Sequence, residues 1–292
     1  MRILILGATG FLGKFYLKNK FIDHSIFIIS KKFIKNKNKF PNNYYFYQCD
    51  LFNIKRFRKL IMLIKPNICV DLSWQGIPNY SATNNRINFV NKKNLYQILA
   101  KNNCKKIISI GSCWEYGNLN CKVSENFKGS KLINFAKVKL NILNYLKKLR
   151  KDFKITYIWA RVFYVYGPGN KKTALLQTLI RSFEKKKKFF INNPYVSNDY
   201  IYVDDVAKAL QGLTLKNINS GIYNIGSGKL SSNSLILIKA YNFLKKKCFH
   251  KKILEEKPIG LCANIKKIRL AINFRPKISI SKGIIHTIKN RL

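Results

Sequence analysis

Short apolar runs alternate with helix-type patterns through the first half of the chain. Nearly continuous apolar runs are typical of buried strands, whereas apolar residues spaced three and four apart predict helices. The predicted strands span residues 3–6, 25–30, 44–47, 68–73, 106–110 and 156–161. One predicted helix ends near residue 20, and the others span residues 54–64, 84–102 and 131–150. Repeated strand–helix crossovers predict an α/β fold with a doubly wound parallel sheet.

The pattern becomes less regular after the turn Gly167-Pro168-Gly169. Predicted helices over residues 173–187, 231–247 and 281–289 are mixed there with short strands such as residues 221–225. We find neither repeats nor a long linker. The sequence therefore predicts a larger first part, residues 1–165, and a smaller mixed α/β part, residues 166–292, packed around a cleft. Some strands and helices of the second part are expected to return to the first.

The net charge of +44 raises the question of a nucleic-acid partner. Only ten of the 56 basic residues are arginine, and the lysines are spread over the whole chain beside an excess of Asn, Ile and Phe. All four amino acids have AT-rich codons, so mutational bias explains the charge. Base recognition would favour arginine. We therefore expect no specific nucleic-acid binding, although loose binding to polyanions at low salt fits the charge.

Cysteine usage and hydropathy limit the compartment and the cofactor classes. The seven cysteines form no C-x-x-C pair, which argues for a reducing, cytoplasmic compartment and against disulfides or a metal site. No apolar run approaches the ~18 residues of a membrane span. The opening MRILILGATGFLG lacks a basic segment and a cleavage site, so it predicts a buried strand and not a signal peptide. No membrane association is expected.

Three glycines, Gly7, Gly10 and Gly13, follow the first predicted strand and open the first predicted helix. A chain without Cβ atoms at such positions turns tightly and brings backbone N–H groups up to a pyrophosphate. This strand–turn–helix context predicts a dinucleotide site. The second strand ends in Ser30-Lys31-Lys32, where an NAD-binding fold usually has an acidic residue. A hydroxyl beside two ammonium groups favours NADP, with NAD possible.

Several ordered motifs extend over almost the whole chain: GATGFLG, IISIGSCWEYG, RVFYVYGPGN, NDYIYVDDVAKAL, GIYNIGSG and NIKKIRLAINFRP. Together they resemble the extended short-chain dehydrogenases, also called the NAD-dependent epimerase/dehydratase family, which act on nucleotide sugars. The resemblance implies a Rossmann-type dinucleotide-binding domain over residues 1–165. It implies a nucleotide-sugar-binding part over residues 166–292.

The resemblance also implies site residues. In the family a Ser/Thr holds the sugar oxygen, a Tyr moves its proton, and a Lys four residues later binds the ribose. Ser112 and Lys139 match, whereas the Tyr position is Phe135. The implied cofactor contacts are Gly7, Thr9, Gly10, Phe11, Leu12, Gly13, Ser30, Lys31, Asp50, Leu51, Leu72, Ser73 and Lys139. The implied substrate contacts are Trp74, Cys113, Trp114, Asn170 and Asn198.

Two positions depart from the family pattern. Phe135 lacks the hydroxyl of the expected general acid, whose loss typically slows a reaction ~10²–10⁴-fold. Lys139, Cys113 or a water could donate the proton weakly in its place. Asn198 replaces an arginine that grips the substrate diphosphate; Lys257 could supply charge there but not a bidentate contact. Activity is therefore expected to be impaired or redirected.

The reaction type follows from the residues after Ser112. Cys113 and Trp114 replace the Asp-Glu pair of similar 4,6-dehydratases, which argues against elimination. The segments DLSWQGIPNYS and GSCWEYG most resemble O-antigen-type reductases of nucleotide-linked 4-keto-6-deoxyhexoses. The sequence therefore predicts an NADP(H)-dependent reductase in surface-polysaccharide sugar biosynthesis. A 4-epimerase and a binding homologue without turnover remain alternatives.

Similar proteins are homodimers that pair the helix over residues 84–102 with the helix that carries Lys139, so a homodimer is expected by resemblance. The second of these helices offers apolar residues for this contact or for packing on the sheet: Leu132, Phe135, Val138, Leu140, Ile142 and Leu143.

Overall fold

The computed structural model describes residues 1–32, 39–187, 189, 191, 193–244 and 259–290. Within these ranges the strands are β1 (Arg2–Leu6), β2 (Ser25–Ser30), β3 (Tyr44–Gln48), β4 (Ile68–Asp71), β5 (Lys106–Ser112), β6 (Lys122–Val123), β7 (Thr156–Val162), β8 (Tyr164–Tyr166), β9 (Ser197–Asn198), β10 (Tyr200–Tyr202), β11 (Gly221–Ile225), β12 (Ser231–Ser232) and β13 (Gly260–Ala263). The helices are α1 (Phe11–Tyr16), α2 (Ile54–Ile64), α3 (Ala82–Lys101), α4 (Asn134–Phe153), α5 (Leu175–Glu184), α6 (Val203–Leu215), α7 (Asn233–Phe243), α8 (Lys266–Ile272) and α9 (Ile280–Lys289).

The main sheet is parallel and has the strand order β3-β2-β1-β4-β5-β7-β11. The chain moves outward from β1 to β3, and then crosses to β4 on the other side of β1. This reversal makes the carboxyl ends of β1 and β4 a topological switch point, the usual place of a ligand crevice in such sheets. The predicted doubly wound α/β fold is confirmed.

Both faces of the sheet are covered, which explains why its strands are apolar in nearly every position. On one face Ile3 and Ile5 of β1 pack in a core with residues of α6, such as Val206 and Leu210. On the other face the neighbouring β1 side chains pack in a core with residues of α2, α3 and α4. Side chains of a strand alternate between the faces, so one apolar run serves both cores.

The second half contributes two small sheets and one strand of the main sheet. A four-stranded sheet has the order β12-β9-β13-β6, and β8 pairs with β10. β11 returns to the main sheet beside β7, as expected for an element of the second part. Because β6 lies before residue 165 and pairs with β13, the small sheet also joins the two parts. The division at residue 165 stays a prediction.

Several boundaries differ from the sequence prediction. α1 ends at Tyr16, not near residue 20, because Lys18 and Asn19 donate from their backbones to the carbonyls three residues earlier in a tighter turn. α4 spans Asn134–Phe153, so it starts three residues later than predicted and ends three later. The predicted end of the helix over residues 231–247 lies outside the described residues. In the described ranges, no helix is both long and apolar enough to span a bilayer.

Candidate functional site

The glycine loop after β1 lies against the residue that follows β4. Gly7 has a φ of +77°, and a Cβ built on it would lie 2.6 Å from the backbone nitrogen of Ser73. A Cβ on Gly13 would lie 2.3 Å from the carbonyl oxygen of Gly7. Thr9 and Gly10 are exposed at the tip of this loop, while Phe11 and Leu12 are half-buried at the start of α1. The loop is therefore a cradle open to solvent that side chains at Gly7 or Gly13 would fill.

The end of β2 holds the residues that are expected to contact the cofactor ribose. Ser30 is 7% exposed, and its Oγ finds no hydrogen-bond partner among the described residues. Buried hydroxyls rarely lack partners, so this atom fits a missing ligand group. Lys31 Nζ lies 2.8 Å from Oδ2 of Asp50, and this hydrogen bond holds the pKa of the Asp50 carboxyl below its usual value. Leu51 follows Asp50 and packs half-buried at the edge of the core.

Lys139 belongs to α4, and its side chain reaches the carboxyl-terminal part of β5. It is only 6% exposed, and its Nζ donates a 2.7 Å hydrogen bond to the carbonyl oxygen of Ile110. The same atom lies 3.8 Å from the ring centroid of Trp74. Burial, together with the nearby ammonium of Lys92, lowers the pKa of Lys139 to about 7. The Lys139 side chain is therefore held against β5 and the Trp74 ring, and its ammonium loses a proton more easily than that of an exposed lysine.

A buried polar network lies beside Lys139 and was not found from the sequence. Lys92 of α3 forms an ion pair with Asp71, the last residue of β4, and donates to Ser73 Oγ over 2.7 Å. Tyr96 Oη donates to Asp71 over 2.7 Å and contacts Ser109 Oγ at 2.7 Å. Burial disfavours the charged Asp71, but Lys92 and these hydrogen bonds outweigh it and lower its carboxyl pKa. One lysine among 46 carries no sequence signal, so only the fold identifies Lys92.

Ser112 ends β5 and caps the short 3₁₀ turn Cys113–Tyr116. Its Oγ accepts a 3.2 Å hydrogen bond from the backbone of Trp114, and its own backbone N–H donates to Glu115 over 2.7 Å. Glu115 is buried and paired with Arg161 of β7. These two positioning residues were missed, although the Ser-x-x-Glu spacing from Ser112 to Glu115 is a recognisable capping-box signal.

Phe135 lies in a group of four aromatic side chains, which we call the aromatic cluster: Trp74, Tyr80, Trp114 and Phe135. The Phe135 ring centroid lies 5.3 Å from that of Trp74, 5.7 Å from Trp114 and 4.7 Å from Tyr80. Trp74 Nε1 is buried without a hydrogen-bond partner among the described residues. The cluster brings the expected substrate contacts Trp74 and Trp114 next to Lys139, at the same strand ends.

The other three expected substrate contacts, Cys113, Asn170 and Asn198, lie outside the aromatic cluster. Cys113 is 3% exposed within a small apolar core, and burial raises the pKa of its thiol far above its usual value, so it is poorly suited to donate a proton. Asn170 is half-buried and donates to the carbonyl of Val165 over 3.1 Å, within its own turn. Asn198 contacts Tyr200 Oη at 3.5 Å in the four-stranded sheet.

The residues at these strand ends fit a bound dinucleotide. The glycine cradle leaves room for a pyrophosphate. Ser30, at the end of β2, offers a hydroxyl without a partner among the described residues, and Lys139 offers an ammonium at the end of β5. Leu72 and Ser73 lie between the ends of β1 and β5, because the backbone N–H of Leu72 donates a 3.0 Å hydrogen bond to the carbonyl oxygen of Leu6. Over the described residues, no group of three His, Cys, Asp or Glu side chains is arranged to hold a metal ion.

Comparison with known proteins agrees with this architecture. The family model described as "NAD dependent epimerase/dehydratase family" matches residues 3–226. UDP-glucuronate 4-epimerase of Thermodesulfobacterium geofontis is 24% identical over 98% of this chain and 94% of its own. dTDP-4-dehydro-6-deoxyglucose reductase of Escherichia coli is 23% identical over 99% of this chain and 96% of its own.

Among solved structures, a Tyr-to-Phe mutant of UDP-glucuronic acid 4-epimerase from Bacillus cereus has a TM-score of 0.84 at 23% identity. The match covers 100% of both chains, and that structure contains UDP-4-deoxy-4-fluoro-glucuronic acid and NAD. The UDP-N-acetylglucosamine 4-epimerase of Methanobrevibacter ruminantium also has a TM-score of 0.84, at 21% identity over 99% of this chain and 97% of its own. These likenesses confirm the Rossmann-type fold.

Proposed function

Because the chain belongs to the NAD-dependent epimerase/dehydratase family of enzymes, we propose that it is an NADP(H)-dependent reductase of a nucleotide-linked 4-keto-6-deoxyhexose. The observation that carries the proposal is the convergence of Ser112, Lys139 and the glycine cradle on neighbouring strand ends. In this proposal the enzyme acts in the cytoplasm, in the synthesis of surface-polysaccharide sugars.

Each element of the crevice has a distinct task in this reaction. The backbone N–H groups of the loop from Gly7 to Gly13 hold the pyrophosphate, and Lys139 holds the nicotinamide ribose. A reduced nicotinamide supplies a hydride when bound. Ser112 Oγ donates to the sugar C4 oxygen, and its position is fixed by Glu115. Trp74 and Trp114 offer flat apolar faces to the sugar ring.

The NADP preference rests on the end of β2. Ser30 and Lys31 replace a carboxylate that would accept a hydrogen bond from the ribose 2′-hydroxyl. The Lys31 ammonium is 77% exposed and is held by Asp50, which keeps it at the ribose end of the crevice. A 2′-phosphate carries about two negative charges near neutrality and would be attracted to it.

The choice between reductase and dehydratase rests on Ser112 and its neighbours. Ser112 is followed by Cys113, whose thiol is buried, and by Trp114, whose ring belongs to the aromatic cluster. Neither ionises to act as the acid or base of an elimination. At the substrate diphosphate, Asn198 offers one amide group; Lys257, the proposed source of charge, lies outside the described residues.

The direct test is oxidation of NADPH by the purified protein in the presence of dTDP-4-dehydro-6-deoxyglucose. We expect oxidation of NADPH with reduction of the C4 ketone of the sugar to a hydroxyl. Ser112→Ala should abolish this oxidation while the protein still binds NADPH. A lack of oxidation with any nucleotide-linked 4-keto-6-deoxyhexose would overturn the proposal.

Two further measurements separate the alternatives. Interconversion of UDP-glucuronate and UDP-galacturonate without consumption of cofactor would identify a 4-epimerase, the activity named for the Thermodesulfobacterium relative. Binding of cofactor and nucleotide sugar without any turnover would identify a binding homologue, which the phenylalanine at position 135 favours.

Dimerisation belongs to the same proposal. The predicted apolar residues of α4 serve mostly the monomer, because Phe135, Ile142 and Leu143 are buried inside it. On α3, however, Ile87 and Val90 are 40% and 50% exposed and lie three residues apart on one face. We expect sedimentation to show a dimer that Val90→Asp dissociates; an unchanged dimer would exclude this face.

A further inference from the structure

The missing hydroxyl of Phe135 leaves the proposed reduction without a general acid on α4. Tyr80, in the loop between β4 and α3, brings a phenol to the same place: its ring centroid lies 4.7 Å from that of Phe135 and 5.5 Å from that of Trp114. Its Oη accepts a 2.9 Å hydrogen bond from Nζ of Lys171. The crevice thus holds a phenol paired with an ammonium, although neither residue lies on α4.

We propose that Tyr80 is the proton donor of this enzyme and that Lys171 is the cation that supports it. This inference rests on the proposed reductase function and assigns the step that the sequence left open. Tyr80 belongs to the segment DLSWQGIPNYS, but the resemblance assigned it no role in proton transfer.

Two other donors next to the aromatic cluster are less suitable. Cys113 is buried in an apolar core, where its thiol is held in the protonated form. Tyr164 accepts a 3.3 Å hydrogen bond from Trp114 Nε1, and burial raises its pKa to about 12. Tyr80 is half-buried, and its Oη bonds the exposed Lys171, so this phenol is the most open of the three to solvent.

Hydrogen bonds to the backbone fix the positions of both Tyr80 and Lys171. The carbonyl of Tyr80 accepts a 2.9 Å hydrogen bond from Nδ2 of the buried Asn85, and Ser81 caps α3 directly after it. The backbone N–H of Lys171 donates to Oδ1 of Asn170 over 2.8 Å, while the Asn170 amide is bonded to Val165. Asn170, expected as a substrate contact, therefore also positions Lys171.

The chemistry of the step balances. A hydride from the reduced nicotinamide forms a new C–H bond at the sugar C4, the C=O π bond breaks, and its electron pair moves to the oxygen. That oxygen takes the proton of Tyr80, so the phenol O–H bond breaks and a phenolate is left. The Lys171 ammonium stabilises this negative charge at hydrogen-bond distance. Tyr80 recovers its proton from solvent, to which Lys171 is exposed.

The kinetic test compares Tyr80→Phe with Tyr195→Phe, whose 70% exposed side chain lies outside the aromatic cluster. We expect Tyr80→Phe to lower kcat for dTDP-4-dehydro-6-deoxyglucose about 10²-fold, with KM changed less than about threefold, and Tyr195→Phe to change neither. Lys171→Met should lower kcat about tenfold, and Lys171→Arg should restore most of it. In the Tyr80→Phe protein, Phe135→Tyr should restore kcat by returning a phenol to the cluster.

A second readout does not need turnover. Mild nitration with tetranitromethane, followed by peptide mass spectrometry, should modify both Tyr80 and Tyr195, and bound NADPH with the nucleotide sugar should protect Tyr80 alone. Turnover by the wild type with an unchanged kcat in Tyr80→Phe, or equal nitration of Tyr80 with and without ligands, overturns the Tyr80 assignment and leaves the reductase proposal standing. No turnover by the wild type overturns both.

Discussion

Arg161 Nε donates a 2.7 Å hydrogen bond to Oε2 of Glu115, and both side chains are almost fully buried beneath Ser112. Glu115 also accepts from Trp159 Nε1 over 2.9 Å and from the backbone of Ser112 over 2.7 Å. Ser112 and the two buried β7 residues Trp159 and Arg161 thus share one carboxylate. The strand end that presents Ser112 is held by a buried charge pair.

Breaking this pair should destabilise the protein. We expect Glu115→Gln to lower the free energy of unfolding by about 3–5 kcal/mol, because the guanidinium of Arg161 would remain buried without its counter-charge. The double variant Glu115→Gln/Arg161→Met, which removes both charges, should lose less. Urea unfolding followed by circular dichroism measures both, and a double variant less stable than the single one would contradict this account.

The glycine cradle can be tested with a pair of substitutions at matched backbone angles. Gly7 and Gly169 both have a φ of +77°, but only Gly7 has atoms within 3 Å of a built Cβ, while Gly169 has none within 4 Å. Gly7→Ala should therefore lose stability and NADPH binding. Gly169→Ala should show only the backbone strain, on the order of 1–2 kcal/mol. Equal losses in thermal unfolding and in NADPH titration would show that the contact with Ser73 is unimportant.

A hydroxyl at position 135 should have an effect that depends on Tyr80. In the wild type we expect Phe135→Tyr to change kcat less than about threefold, because a proton donor is already present. A gain of 10² or more, on the scale of a restored general acid, would instead identify a decayed site without any substitute donor. Lys139→Met, introduced into the wild type and into Phe135→Tyr, should reduce NADPH affinity in both. This measurement distinguishes an effect on cofactor binding from an effect on proton transfer.

The cofactor preference should change at Lys31. Lys31→Ala removes the ammonium beside Asp50, and we expect KM for NADPH to rise about tenfold while KM for NADH changes little. Lys151→Ala, an exposed lysine near the end of α4, is the matched control for loss of one surface charge. If both variants alter the two cofactors equally, Lys31 does not select the 2′-phosphate.

Lys106 should make a contribution to stability that rises with pH above neutrality. Its Nζ donates to the carbonyls of Thr214 and Lys216, and burial lowers its pKa to about 8. The unfolded lysine has a pKa of about 10.4, so between these values Lys106 binds more protons in the unfolded chain. Its contribution to the free energy of unfolding therefore increases with pH.

Lys106→Met should remove this contribution, and Lys105→Met, an exposed neighbour, should keep it. Urea midpoints measured between about pH 7.5 and pH 9.5 should therefore climb more steeply for the wild type than for Lys106→Met. Parallel pH profiles would mean that Lys106 titrates alike in the folded and unfolded chains.

The amino-acid sequence determined the features that depend on neighbours along the chain. Alternating apolar runs gave the order of strands and helices, since each run must bury its side chains on both faces of a sheet. The glycines after β1 predicted a dinucleotide site because a tight turn depends on local residues, whereas Lys139 was implied by the resemblance to the family. Boundaries such as the end of α1 differed by a few residues, because the apolar pattern does not show where the backbone tightens into a turn.

The tertiary structure alone decided which distant side chains meet. Lys171 reaches Tyr80 across 91 residues of sequence, and Lys92 pairs with Asp71 because α3 crosses the end of β4. In a chain with 46 lysines, no pattern singled out Lys92 or Lys171. Such a charge acquires its role when the fold places a partner within hydrogen-bond distance, and for Lys92 the fold also removes the charge from water. That placement is set by packing of the whole domain.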